Sequence, residues 1–531
     1  MNEFGILLGF VALMAFAPLV YTTLRTVSLA KLRDTTFAKA LAKDYLRTLP
    51  ACALVLLPAL AAPAIVPVYA IVLHLVFFPL LFLELGHVLL FRTRVGLNTF
   101  YSLFVSNMRE TKEFIAQNIP WTAVALFAVL YALPPFFLVR LPPPAFAAPR
   151  IRWTAVAVAA ALALPFVLNL LKPAGKRKDG YVMNPFSNAA YHYFLFRRNY
   201  RELQRLIAAH AAPPFAGIRS RLPAGTRETY VIVIGESANA HHLGCYGYGR
   251  DTTEFTDRLG DELIRVAGVR APFAQTIPSL EKVLTFADND HADLVFSKGS
   301  VVDWFNDAGF RTYWYSNQYA LDDTALTALT AHAAVSKCFN FSGMKRFEKA
   351  GLDGDMLPDL RRLLANDEPR KAVFVHLIGS HSAYVNRYPD EFRHFEGQAP
   401  GRTLPPAKLQ FLNAYDDSIR YTDWVLSEIV AALRSVAGAS CLLYFSDHGE
   451  DIYDSTDARI MGHGPLANGP MTSVPFMLWT SKELDRLRPD IRAAAVRPDY
   501  PLMDAIHTVI DVSSLTGPDY EPAKSVFIRR S

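Results

Sequence analysis

The chain is predicted to join an N-terminal helical membrane domain of about five spans to a C-terminal α/β domain built on a mainly parallel sheet. Three observations predict it. Apolar segments approaching the roughly 20 residues of a hydrocarbon crossing crowd the first third of the chain. Beyond residue 173, Gly, Pro and polar residues become regular. From there on, strand-like apolar runs alternate with helix-like stretches and lack the period-two pattern of a one-sided sheet.

The membrane segments are 4–22, 49–65, 67–91, 120–139 and 153–171, the second being interrupted by Pro50, Pro58 and Pro63. Across 531 residues, 51% hydrophobic against 19% charged suits an integral protein. Met1, Asn2 and Glu3 provide no basic start for a cleavable signal peptide, and further spans follow. Three regions are expected: 1–172 membrane-spanning, 173–212 a linker, and 213–531 the α/β domain. Within the linker, residues 190–212 mix aromatic, basic and apolar side chains and read either as a helix on the membrane surface or as an ordinary amphipathic connection.

The net charge of +5 forms no nucleic-acid stripe, so no nucleic-acid partner is expected. Basic residues instead gather beside the spans, as in Arg25, Lys31, Arg33, Lys39, Lys43 and Arg47, and in Lys172, Lys176, Arg177 and Lys178. Such clusters suit anionic headgroups and make membrane lipids a partner. Counted by the positive-inside rule alone, they place the large domain in the cytoplasm. Four cysteines without a CxxC spacing argue against a cysteine-built zinc site, and only Cys245 and Cys338 look available to pair.

The α/β region carries its chemistry at the ends of apolar runs. "TYVIVIGES" (229–237) ends in Glu236 and Ser237, "AVFVHLIGS" (372–380) includes His376 and leads to His381, and "CLLYFSDHG" (441–449) ends in Asp447 and His448. A later "MGHGP" adds His463. Ligands of doubly wound sheets collect at the carboxyl ends of strands. Carboxylates and imidazoles there are oxygen and nitrogen donors suited to zinc. In "APFAQTIPSLEKVLTFAD" (271–288), Thr276 precedes a helical pattern, and a hydroxyl at a helix N-terminus faces partial positive charge that favours an anionic phosphoryl group. Alternatively, Thr276 or Ser279 simply caps that helix.

Together "VIGESAN…GYGRDTT", "QTIPSLEKVLTFA", "HLIGSH" and "FSDHGE…GHGP…SVPFMLW" resemble the phosphoethanolamine transferases of Gram-negative inner membranes. These belong to the alkaline phosphatase and sulfatase superfamily, and the wording is most similar to the branch that decorates the lipopolysaccharide core. The resemblance implies an α/β/α sandwich domain, a multi-pass inner-membrane protein with its catalytic domain in the periplasm, and a monomer. It implies Glu236, Thr276, Asp447 and His448 as zinc ligands, with Thr276 the nucleophile that receives phosphoethanolamine. His376, His381 and His463 match residues that bind substrate phosphate or a second zinc, and His381 or His463 would protonate the leaving group. Ser106, Asn107 and Glu110 occupy the family's T-N-x-x-E motif, and Asn317 and Gln318 stand nearest its other substrate contacts. Two positions depart from the pattern: Ser237 follows the metal-binding Glu where Thr is usual, and no Lys soon follows Gln318. The implied donor is phosphatidylethanolamine and the implied acceptor a lipopolysaccharide sugar, on the core or lipid A. The alternatives are a sulfatase-like phosphodiester hydrolase and a glycerol-phosphate transferase of the same superfamily. The hydrolase would be expected to show a Cys or Ser nucleophile in a C/S-x-P-x-R pattern, and Thr276, Ile277, Pro278, Ser279 and Leu280 lack the Arg.

Overall fold

A computed structural model describes residues 35–91, 94–96, 99–100, 115, 119–138, 140, 148–172, 188–209, 215–288, 290–291, 294–318, 332–339, 351–455 and 468–529, with isolated positions before residue 24. The chain separates into two compact units, Met1–Tyr200 and Arg201–Ser531.

In the first unit the helices are α1 (Thr35–Ala61), α2 (Val66–Phe91), α3 (Trp121–Leu138), α4 (Pro149–Leu170) and α5 (Asn188–Ala209), the last crossing into the second unit. Among the described residues two helices are long and apolar enough to cross a membrane, Pro63–Leu90 and Pro149–Leu170. Shorter apolar helices cover Thr48–Ala61 and Trp121–Phe137. The expected span 4–22 lies mostly outside the described residues. The expected segment 49–65 is divided: α1 stops at Ala61, and a 3₁₀ turn, Pro63–Ile65, leads into α2, because proline at position 63 cannot donate to a continuing helix. Ala51, Ala59, Ala159 and Ala163 bring α1 and α4 together in one buried cluster, the small-residue packing that membrane helices favour. Pro135, inside α3, has no N–H for the carbonyl of Tyr131, and His74 Nε2 of α2 donates to that oxygen at 3.1 Å. On the same helix α2, buried Glu84 accepts from Arg94 Nε at 2.5 Å and from Asn188 Nδ2 at 2.8 Å, tying in the start of α5.

The second unit is built on a seven-stranded sheet. Its strands are β1 (Glu228–Gly235), β2 (Leu263–Val266), β3 (Arg311–Ser316), β4 (Val335–Cys338), β5 (Arg370–His376), β6 (Ala439–Ser446) and β7 (Phe476–Thr480), in the order β2-β7-β6-β1-β5-β3-β4. The five strands from β6 to β4 run parallel, and β7 and β2 complete the other edge antiparallel. Every residue of β1 and β6 is buried. The reason is that alternate side chains enter two cores: Ile232, Ile234, Phe374 and Phe445 pack on one face, and Val231, Val233, Val375 and Tyr444 on the other. The first core is roofed by α6 (Thr276–Val283), α7 (Val301–Asp307) and α10 (Ala505–Val512), and the second by α8 (Leu357–Leu364) and α9 (Pro406–Leu433). Helices on both faces are what the unalternating runs predict.

After β1 the chain first lays β2 at the far edge, then adds β3, β4 and β5 on the opposite side of β1, and only then returns to lay β6 beside β1, with β7 filling the place between β6 and β2. The crevice at the carboxyl ends of β1 and β6 is therefore where the connections diverge, the place where open α/β sheets hold ligands.

Candidate metal centre and nucleophile

Register brings the first two candidate ligands together. Gly235 of β1 pairs with Ser446 of β6, so the next residues, Glu236 and Asp447, emerge side by side. The Asp447 N–H extends the ladder by one bond to the Gly235 carbonyl, at 3.1 Å. His448 follows, and then Gly449, whose N–H donates to the Met471 carbonyl at 2.8 Å. A side chain at position 449 would run into the Pro470 and Ser473 carbonyls, which is why a glycine closes the "SDHG" run.

Glu236, Asp447 and His448 are all buried, and one ligand atom from each lies within 4.8 Å of the other two. His448 Nε2 is 3.2 Å from Glu236 Oε1 and 3.5 Å from Asp447 Oδ2. Nδ1 of the same ring donates to the Gly449 carbonyl at 2.9 Å, which leaves Nε2 as the nitrogen facing the carboxylates. Thr276 is the first residue of α6; its hydroxyl donates to Glu236 Oε2 at 3.1 Å and lies 3.4 Å from His448 Nε2. The N-cap is Gln275, without a side-chain cap bond, and Ser279 Oγ donates to the Asp447 carbonyl at 2.6 Å. Neither hydroxyl caps the helix.

The electrostatics are those of a site short of positive charge. Burial disfavours charge on Glu236, but the hydrogen bond and charge of His448, with His381 behind, hold its carboxyl well below the usual range. Burial and then the Glu236 charge push Asp447 up to about 8. For His448, burial opposes the imidazolium, yet Asp447 and Glu236 lift it to about 10. A dication among these groups removes the conflict between two neighbouring carboxylates. Asp447 Oδ2 is buried and accepts no hydrogen bond of ordinary geometry among the described residues. An orphaned carboxylate oxygen beside a second carboxylate, an imidazole and a hydroxyl is a donor set that fits zinc.

The other expected residues divide. Gln318 reaches the cluster directly: its Nε2 donates to Glu236 Oε2 at 2.8 Å and to the Leu377 carbonyl at 3.0 Å. Asn317 has a different task from the expected substrate contact. It is fully buried, and its amide donates to the Gly351 carbonyl at 3.0 Å and to Asp353 Oδ1 at 2.9 Å. His376 ends β5 and is buried, with no hydrogen bond to Nε2 among the described residues; burial lowers it to about 4, so its ring is neutral at pH 7. His381 lies in the following loop, close enough for its charge to act on Glu236, and its Nδ1 likewise has no hydrogen-bond partner among the described residues. Ser106, Asn107, Glu110 and His463 lie outside the described residues. Cys245 and Cys338 are free thiols.

Four supporting residues were given no role from the sequence. Asp353, fully buried, accepts the N–H groups of Ile378 and Gly379 at 2.9 Å each as well as the Asn317 amide. It thereby anchors the loop between His376 and His381. Gly379 in that loop has φ +49°, and a Cβ there would lie 2.8 Å from the Glu236 carbonyl oxygen. Ser237 and Tyr415 of α9 complete the frame: Ser237 Oγ donates to Glu236 Oε1 at 2.7 Å, and the Tyr415 hydroxyl donates to the Ser237 carbonyl at 2.8 Å. Only Ser237 had a signal, its place next to a candidate ligand.

The family model described as Sulfatase matches residues 228–515. Phosphoethanolamine transferase EptC of Escherichia coli O18:K1:H7 is 27% identical over 491 residues, which is 89% of this chain and 84% of that protein. The crystal structure of the C-terminal periplasmic domain of EptC from Escherichia coli, in complex with Zn, superposes with a TM-score of 0.56 at 30% identity, covering 60% of this chain and 90% of that one. The fold is similar to that of the integral membrane protein lipooligosaccharide phosphoethanolamine transferase A of Neisseria meningitidis, with a TM-score of 0.69, 18% identity and 98% of each chain covered. A seven-stranded α/β unit with a metal-type cluster at its central strand ends, and these likenesses, place the chain in the sulfatase family, among the phosphoethanolamine transferases of the alkaline phosphatase superfamily.

Proposed function

We propose that the protein is a zinc-dependent enzyme of a bacterial inner membrane that moves phosphoethanolamine from phosphatidylethanolamine to a lipopolysaccharide sugar, through a covalent intermediate on Thr276. The observation that carries the proposal is the Thr276 hydroxyl, hydrogen-bonded into the Glu236, Asp447 and His448 cluster at the N-terminus of α6. A relative crystallised with Zn supports the metal. Bound by Glu236, Thr276, Asp447 and His448, zinc would act as a Lewis acid that lowers the hydroxyl pKa and neutralises phosphoryl charge.

The chain's own residues divide the remaining work. Glu236 Oε2, which accepts the hydrogen bond of the Thr276 hydroxyl, takes up its proton as the Thr276 oxygen attacks the donor phosphorus, with His448 fixed beside the hydroxyl. The phosphorus–glycerol oxygen bond breaks, and diacylglycerol leaves with a proton from His381 or His463. An acceptor hydroxyl then attacks the same phosphorus, and the oxygen of Thr276 departs and regains a proton. The N–H groups at the start of α6 face the anionic phosphoryl oxygens in both steps. His376, neutral at pH 7, contributes a polar wall. Ser106, Asn107 and Glu110 would hold the donor headgroup, Glu110 at its amine.

On this reading a membrane domain of about five spans, residues 1–172, presents a donor that never leaves the bilayer. Residues 213–531 work in the periplasm as a monomer, and 173–212 link the two. The test is diacylglycerol release from labelled phosphatidylethanolamine by full-length protein, wild type beside Thr276→Ala, with mass analysis of the Thr276 peptide. Release by wild type only, with a phosphoethanolamine mass on Thr276, is the expected result. Release without an adduct, with free phosphoethanolamine as product, would turn the reading to a hydrolase.

A further inference from the structure

We infer that Ser237 is the positioning residue that sets the metal ligands Glu236 and Asp447 relative to each other; the inference rests on the metal reading above. Ser237 is fully buried and has φ +60°, a left-handed conformation that non-glycine residues rarely adopt. On backbone grounds alone, glycine is the residue for this turn. The sequence places a hydroxyl there instead, and every polar group of the residue is engaged.

Its Oγ donates to Glu236 Oε1 at 2.7 Å. Its N–H donates to Asp447 Oδ1 at 3.1 Å. Its carbonyl accepts the hydroxyl of Tyr415, at 2.8 Å, from the middle of α9. One residue thus touches a ligand carboxylate on each of two adjacent strands and is itself pinned by a helix on the sheet's face. The consequence is directional. With Oδ1 committed to the Ser237 and His448 N–H groups, Asp447 is left with Oδ2 for the cluster. With Oε1 held by Ser237, the Glu236 carboxylate cannot rotate about its last bond, and Oε2 stays opposite Thr276. Partners of this kind orient ligands and account for 10–100-fold in metal affinity.

The experiment uses the full-length protein in detergent, as wild type, Ser237→Ala, Ser237→Gly and Ser237→Thr. Zinc affinity is read by competition with a chromophoric chelator, ligand geometry by the visible spectrum of the cobalt-substituted protein, and folding by thermal unfolding in excess chelator. The expected result is that Ala and Gly both weaken zinc about 10–100-fold and alter the cobalt spectrum, while Thr, which keeps the hydroxyl, restores both. Gly, relieved of the left-handed strain, should unfold in chelator at a higher temperature than Ala, which separates lost positioning from lost folding. Wild-type affinity and an unchanged spectrum in Ala would overturn the inference. Loss in Ala but not Gly would also overturn it, assigning the effect to the backbone rather than the hydroxyl. A wild type that folds but binds no zinc would overturn the metal reading as well.

Discussion

Zinc in large excess over its dissociation constant should stabilise the protein, and Asp447→Asn should remove most of that stabilisation. A ligand present at 1,000 times its dissociation constant stabilises the folded state by about 4 kcal/mol. The unit that carries the cluster, Arg201–Ser531, has about 330 residues, and at about 2.1 cal/mol/K each its unfolding entropy is ~0.7 kcal/mol/K. Saturating zinc therefore raises Tm by about 6 °C. Asp447→Asn preserves shape but replaces the buried, undonated Oδ2 with a neutral amide. If affinity falls 100-fold, the same zinc concentration leaves about 1.4 kcal/mol, or about 2 °C.

The metal-free proteins should move the other way. Burial and Glu236 push the Asp447 carboxyl up to about 8, so its charge is unwelcome without a cation, and Asn should not lower the chelator-treated Tm. The assay is differential scanning fluorimetry of full-length protein in detergent, each variant with chelator and with zinc. A full 6 °C shift retained by Asp447→Asn, or no shift in folded wild type, would refute the reasoning.

Gln318→Ala should weaken zinc about tenfold and leave the donor KM nearly unchanged, because its amide contacts Glu236; chelator competition and a rate series in donor concentration separate the two effects. Gly379→Ala should cost about 1–2 kcal/mol from the left-handed backbone alone. Further loss follows as the new Cβ presses on the Glu236 backbone, lowering both the chelator Tm and the zinc shift. Away from the site, buried His242 lies between Asp416, at 2.8 Å, and Asp454, at 3.1 Å. Burial opposes its charge, yet the two carboxylates raise it from 6.5 to about 9. Its stabilisation is complete below pH 6.5 and is lost as pH rises through 9, on the order of 3 kcal/mol over that window. Tm measured from pH 6.5 to 9 should fall more steeply for wild type than for His242→Asn, and equal slopes would count against it.

Much of the catalytic unit was legible because its physics is local. The runs at 229–237, 372–380 and 441–449 are the central strands β1, β5 and β6, and burial on both faces left them without alternation. Their ends were read too long. The strands stop at Gly235, His376 and Ser446, because the next residues turn to bring side chains inward, as the positive φ of Ser237 shows. The antiparallel edge, β7 with β2, was not legible, since an apolar run such as "FMLW" carries no mark of its direction. In the N-terminal unit, Pro63 explains the difference between segment 49–65 and the observed break after Ala61.

The site shows the same division more sharply. Glu236, Thr276, Asp447 and His448, which the structure brings together, could be grouped from the sequence because carboxylate, imidazole and hydroxyl at strand ends are the few residue types that zinc and phosphoryl chemistry admit, so the types themselves are the signal. The residues that orient them are Ser, Gln, Asp and Tyr, used everywhere in proteins, and their contacts cross the chain. Gln318 meets Glu236 from 82 positions away, Tyr415 meets Ser237 from 178, and Asp447 meets Ser237 from 210. Only the sheet order, which sets β6 beside β1, makes them neighbours. Asn317 and Gln318 illustrate the cost of that dependence: adjacent amides looked equivalent in sequence, yet one faces the ligand carboxylate and the other is spent on Asp353. Side-chain direction at the end of β3 decides between them, and that direction depends on where the strand stops. For this fold, then, chemistry locates the centre of the site, whereas topology decides which polar residues serve it.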